Sequence, residues 1–250
     1  TRLSVGGNVV VASGTTTIST ALTVPGSLTV SGGTLSATNT LNVSGNVVVS
    51  SGTLSTSTAG TMYVTGNMTV SGGTLTADAP VNITGSFSMS SGTVNHSATT
   101  TATIYRLTLN VGTTFTLSGG SIDVRDRGYT YRYSYGPSGP STSLGANYVY
   151  SSSNYYYGGG SHGGTAGRYN SALAAAPPAY DDYRNPNYPG GGSYNYSGGG
   201  VVRITSTGTC TINSGASINA NANASNYGGA GGSIYMNCGG FAGTAGSSAI

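Results

Sequence analysis

Leu22-Thr23-Val24-Pro25-Gly26-Ser27-Leu28-Thr29-Val30-Ser31-Gly32-Gly33-Thr34-Leu35-Ser36 is followed, nineteen residues on, by Leu41-Asn42-Val43-Ser44-Gly45-Asn46-Val47-Val48-Val49-Ser50-Ser51-Gly52-Thr53-Leu54-Ser55. Both stretches run in the same order: an apolar-polar-apolar triplet, a Gly, a second triplet, a Ser-Gly(-Gly)-Thr step and a third short run. A period of two places alternate side chains on one face of a strand, and Gly between the runs permits a tight corner. One unit therefore predicts two or three short strands joined by bends. The starts Leu3-Ser4-Val5, Met62-Tyr63-Val64 and Val81-Asn82-Ile83 extend the pattern to five units. A sixth contains Leu107-Thr108-Leu109, Phe115-Thr116-Leu117 and Ile122-Asp123-Val124.

A unit of about 20 residues cannot bury an apolar row alone, but stacked copies align their rows into one continuous core. The expected fold is all-β: a parallel β-helix, or β-solenoid, of about 20-residue rungs. Strands about 4.8 Å apart would make six units roughly 30 Å long. An antiparallel sandwich also has short strands at regular spacing. It needs different loops between them, however, whereas here the same corners return in the same order.

The repeat occupies 1–126 and stops at Arg127. From 127 to 200 the chain is a Tyr/Gly/Pro-rich insertion, holding 15 of the 19 tyrosines and six of the eight prolines. Tyr129-Thr130-Tyr131-Arg132-Tyr133-Ser134-Tyr135 alternates like a strand, and Pro177-Pro178 excludes a central strand nearby. Tyrosine combines a large apolar body with a hydroxyl and is enriched at contact surfaces. Tyr129, Tyr131, Tyr133, Tyr135, Tyr155, Tyr156, Tyr157, Tyr194 and Tyr196 are therefore candidate interaction residues; the alternative is that the insertion packs down on the flank of the solenoid. Rungs resume over 201–250, with Val202-Arg203-Ile204, Cys210-Thr211-Ile212, Ser217-Ile218-Asn219 and Ile234-Tyr235-Met236.

The Ser-Gly-Gly-Thr-Leu rungs resemble those of filamentous-haemagglutinin-type and autotransporter-type bacterial surface proteins. Gly159-Gly160-Ser161-His162-Gly163-Gly164, Gly199-Gly200-Val201-Val202-Arg203-Ile204 and Gly229-Ala230-Gly231-Gly232-Ser233-Ile234 are similar to Gly-rich modules of very large surface proteins. The resemblance implies exposure at a cell surface, and adhesion or fibre building rather than one defined ligand.

Composition excludes other classes. The acidic residues are five Asp and the basic ones eight Arg, with no Lys, Glu, Gln or Trp; lacking most strong helix formers, the chain does not suit an α-rich fold. The net charge of +3 is scattered, so no nucleic-acid footprint is expected. No apolar run is long enough for a membrane-spanning helix, so no membrane insertion is expected. Cys210 and Cys238 lack metal-ligand spacing and are a candidate disulfide pair.

Catalysis on such a scaffold needs clustered carboxylates or bases. Asp123 and Asp126 stand beside Arg125 and Arg127, as expected of ion pairs. Asp181 and Asp182 are expected to be solvated loop residues, and His96 and His162 are isolated in sequence. No enzyme activity, metal or cofactor is expected. The anticipated role is a structural subunit or segment of an extracellular or cell-surface filament. Self-association would be head to tail, through open solenoid edges. A surface adhesin binding glycans or neighbouring cells is the alternative, and a polysaccharide-processing enzyme is third.

Overall fold

The computed structural model describes residues 5–100, 102–129, 162–164, 179–192, 196–222 and 228–244. Among them there is no helix, and eighteen strands form one sheet. The first repeat supplies β1 (Val9–Val11) and β2 (Thr15–Ile18). The second supplies β3 (Leu22–Val24), β4 (Leu28–Val30) and β5 (Thr34–Ala37), and the third β6 (Leu41–Val43), β7 (Val47–Val49) and β8 (Thr53–Thr56). Then come β9 (Met62–Val64) with β10 (Met68–Ala77), and β11 (Val81–Ile83) with β12 (Phe87–Asn95). The sixth repeat supplies β13 (Leu107–Val111), β14 (Phe115–Leu117) and β15 (Gly120–Asp123). Beyond the insertion lie β16 (Val201–Ile212), β17 (Ala216–Asn219) and β18 (Ser233–Ala242).

Every pairing between these strands is parallel, and each joins a strand to its counterpart in the next repeat. The first ladder runs Leu22↔Leu41↔Met62↔Val81↔Leu109↔Ile204↔Met236. A second runs Val9↔Leu28↔Val47↔Met68↔Phe87↔Phe115↔Cys210↔Phe241. A third runs from β2 through β5, β8, the ends of β10 and β12, and β15 to β17. The sheet is nearly closed and solenoid-like, consistent with a parallel β-helix.

The burial pattern follows from the triplets: outer residues point inward and the middle one outward, as in the buried-intermediate-buried order of β6 and β14. Inward residues such as Val24, Leu28, Val47, Met68, Phe87 and Leu107 are fully buried and belong to one continuous core. Phe87 and Phe115, facing each other in register, stack with ring centroids 5.2 Å apart and planes 6° from parallel.

In the sixth repeat, Val81-Asn82-Ile83 pairs with Leu109-Asn110-Val111 rather than with the triplet Leu107-Thr108-Leu109. The shift is two residues, so the same side chains stay inward. Leu107 and Thr108 pair instead with Val202 and Arg203 in the next repeat, so the first ladder is longer at its C-terminal end.

The corners between the first two ladders are stitched by side chains. Oδ1 of Asn8 accepts the Ser27 amide at 2.8 Å, and Oγ of Ser27 accepts the Asn46 amide at 3.2 Å. Asn46 accepts from Asn67 at 2.8 Å and Asn67 from Ser86 at 2.9 Å. From the second repeat onward, the Gly before each of these residues is there for space: a Cβ on Gly66 would lie 2.4 Å from Asn46 Oδ1 and 2.7 Å from the Gly45 oxygen.

Candidate functional site: a polar groove on the first ladder

The outward column of the first ladder is Thr23↔Asn42↔Tyr63↔Asn82↔Asn110↔Thr205↔Asn237. Where it passes Tyr63 to Asn237, the surface forms an open groove of about 750 Å³, bounded by the corner residues that include Thr65, Thr84 and Thr207. The column is internally ordered. The Asn110 side-chain amide donates to Asn82 Oδ1 at 2.8 Å, and the Thr205 hydroxyl donates to Asn110 Oδ1 at 2.7 Å. The adjacent corner is pinned by Ser206, which donates to the Thr113 carbonyl at 2.7 Å, and by Thr207, which donates to the Gly112 carbonyl. Tyr63 is 48% exposed. None of the described residues lining the groove carries a charge. The column offers amides, hydroxyls and one aromatic face, groups that bind without proton transfer.

A second constellation joins the insertion to the last repeats. His162 Nε2 lies 3.1 Å from Asp181 Oδ2 and 3.3 Å from Ser233 Oγ, and that hydroxyl donates to the Tyr188 carbonyl at 2.7 Å. A nucleophilic relay places the acid on one imidazole nitrogen and the hydroxyl on the other. Here both meet the same nitrogen, and the hydroxyl has the Tyr188 carbonyl and Asp181 Oδ2, the latter at 3.1 Å, as acceptors. The geometry is that of a clasp.

Asp181 departs from the expectation of a solvated loop residue: its side chain is 6% exposed. Burial pushes its carboxyl up, but the amides of Tyr188, Asn187 and Asp182, with His162, outweigh that and hold it below the ordinary carboxylate range. Its backbone sits at φ +76, a left-handed conformation that an Asp side chain can support by local hydrogen bonds. The carboxylate thus organises the 182–188 loop. Asp123 does pair with Arg125, at 2.5 Å on the surface, and its carboxyl is held low chiefly by that hydrogen bond.

Tyr129 is corrected from a surface residue to a buried one, 3% exposed. Its ring packs edge-on to Tyr180 at 6.4 Å, and its backbone bonds to Gly190 and Gly198. Tyr180 also packs against Tyr188 and His162, and Arg106 lies over Tyr188 at 5.6 Å. These contacts form an aromatic seam against the flank. Burial raises the Tyr129 and Tyr180 phenols well above their ordinary range. Tyr196 is half-buried. Tyr131, Tyr133, Tyr135, Tyr155, Tyr156, Tyr157 and Tyr194 lie outside the described residues.

His96 is fully buried. Its Nδ1 bonds to the Ser97 carbonyl at 2.6 Å, while Nε2 accepts the Val201 amide at 3.0 Å. Accepting at Nε2 fixes the proton on Nδ1. Burial, with smaller contributions from Arg127 and Arg106, lowers its pKa to about 4, against the opposing pull of the Ser97 bond and Asp78. Cys210 and Cys238 are bonded, with Cα atoms 5.8 Å apart. They do not share a register position: Cys210 faces Phe241 and Cys238 faces Ser206.

The fold and groove thus define an all-β chain of parallel ladders that displays a neutral, periodic polar surface. No family model, curated protein or solved structure matches it.

Proposed function

We propose that the chain is a parallel β-helix with a structural role, as a subunit or segment of an extracellular or cell-surface filament that grows head to tail. The observation that carries this is Phe241. It occupies the inward column of the second ladder, in register with Cys210, yet is 65% exposed. A large apolar side chain in a core column calls for a further layer upon it. Parallel ladders are polar, so the edge of β18 that is unpaired among the described residues complements the corresponding edge of β1 in a second copy, a head-to-tail contact that propagates rather than closes. Low charge keeps repulsion between stacked copies small. The disulfide supports an oxidising, extracellular location.

Sedimentation and negative-stain microscopy of the chain across a concentration series test this. Linear polymers are expected, with Phe241→Arg shifting the distribution to single particles. Single particles at every wild-type concentration would contradict the proposal.

The groove favours a second reading, a surface adhesin that holds glycans, because its aligned amides and hydroxyls repeat along the axis on which a filament would display them.

A further inference from the structure

We propose that the groove from Tyr63 to Asn237 is a binding site for an uncharged glycan, lying along the axis and across the strands. This rests on the adhesin reading and assigns its site and ligand class. Five outward side chains, Tyr63, Asn82, Asn110, Thr205 and Asn237, stand in one register column. They span four strand spacings, roughly 19 Å. That length accommodates several sugar units, each about as long as one spacing. A polymer of hydroxyl-bearing units therefore meets a polymer of amide and hydroxyl groups in step.

The chemistry of the column agrees. Its internal bonds use one N–H of Asn110 and the oxygens of Asn82 and Asn110. Among the described residues, the NH₂ of Asn82 and the second N–H of Asn110 are left as donors. Because those internal bonds fix the amides before any ligand arrives, little side-chain freedom is lost on binding. Tyr63 supplies an exposed aromatic face at one end of the column, against which the apolar face of a sugar ring can stack. With no charged group among the described lining residues, an acidic polysaccharide would surrender hydration without gaining a counter-charge. An extended peptide would need a free strand edge or side-chain pockets, whereas the groove floor is the face of a paired sheet.

The test is isothermal titration of the full chain with neutral hexasaccharides (cellohexaose, xylohexaose, mannohexaose and chitohexaose), with oligogalacturonate as the acidic comparison. Saturable binding of at least one neutral probe is expected, tightening from the trisaccharide to the hexasaccharide of that series. Tyr63→Ala and Asn110→Ala should each weaken it at least tenfold, while Tyr63→Phe should stay within threefold. Unchanged circular dichroism will show that the substitutions leave the fold intact. Binding that survives both alanine substitutions, or a preference for oligogalacturonate, overturns the groove while leaving the adhesin reading standing. No binding of any saccharide overturns both.

Discussion

His96 shows how much one side chain can carry in a repeat protein that is nearly free of charge. It ties the fifth repeat to Val201, where the chain returns from the insertion, and the neighbouring Gly200 leaves room for its ring: a Cβ there would come within 2.4 Å of Nε2. Nothing in the sequence links residues so far apart, so His96 reads as isolated until the fold brings Val201 to it. Its titration makes the link measurable. The folded pKa is about 4 against 6.5 for the free side chain, so the unfolded chain binds more protons between those values. The contribution is therefore complete above about pH 6.5 and is lost as pH falls towards 4, by about 3 kcal/mol. Urea unfolding at pH 7 and pH 4.5 should show this loss, and His96→Gln should largely remove the difference. An equal pH dependence in the variant would refute the assignment. Asp181 was equally hard to foresee, because an Asp-Asp pair in a loop normally means solvent. Here the three amides that fix it come from a turn visible only in three dimensions.

The triplets explain why strands were readable at the level of the element. Leu22, Leu41, Met62 and Val81 pair as their spacing predicts, and Ile204 meets Met236 despite the insertion before them. The corners were readable only as glycines, because a side chain that bonds the next repeat's amide looks in sequence like any surface Asn or Ser. The groove was unreadable for a similar reason: Asn82, Asn110 and Thr205 become neighbours only once the register is known. Corner stacking predicts a positional contrast. Gly66→Ala drives a Cβ into Asn46 and Gly45 and should cost about 1–3 kcal/mol. Gly7→Ala, at the equivalent corner of the first repeat, meets nothing within 4 Å and should change stability little. Equal effects in thermal unfolding would contradict the stacking account. In the core, Phe115→Ala removes half of the stacked pair with Phe87 and should cost about 3–5 kcal/mol, read as a lower denaturation midpoint.

Over the whole molecule, stability should be graded, since each repeat touches mainly its neighbours. The disulfide between β16 and β18 closes a 28-residue separation near one end, a constraint worth about 3–4 kcal/mol in the chain-entropy picture. Reduction should speed amide exchange across 233–242 and leave β6 to β12 protected; uniform loss of protection would show one cooperative unit instead. End-to-end growth requires the parallel ladders to continue from copy to copy along one axis. Cryo-electron microscopy of the native, unfractionated protein tests it most directly. Filaments are expected with an axial spacing near 4.8 Å and with β18 of one subunit seated on β1 of the next. Discrete particles a single chain long, or filaments whose strands run along the axis, would contradict it.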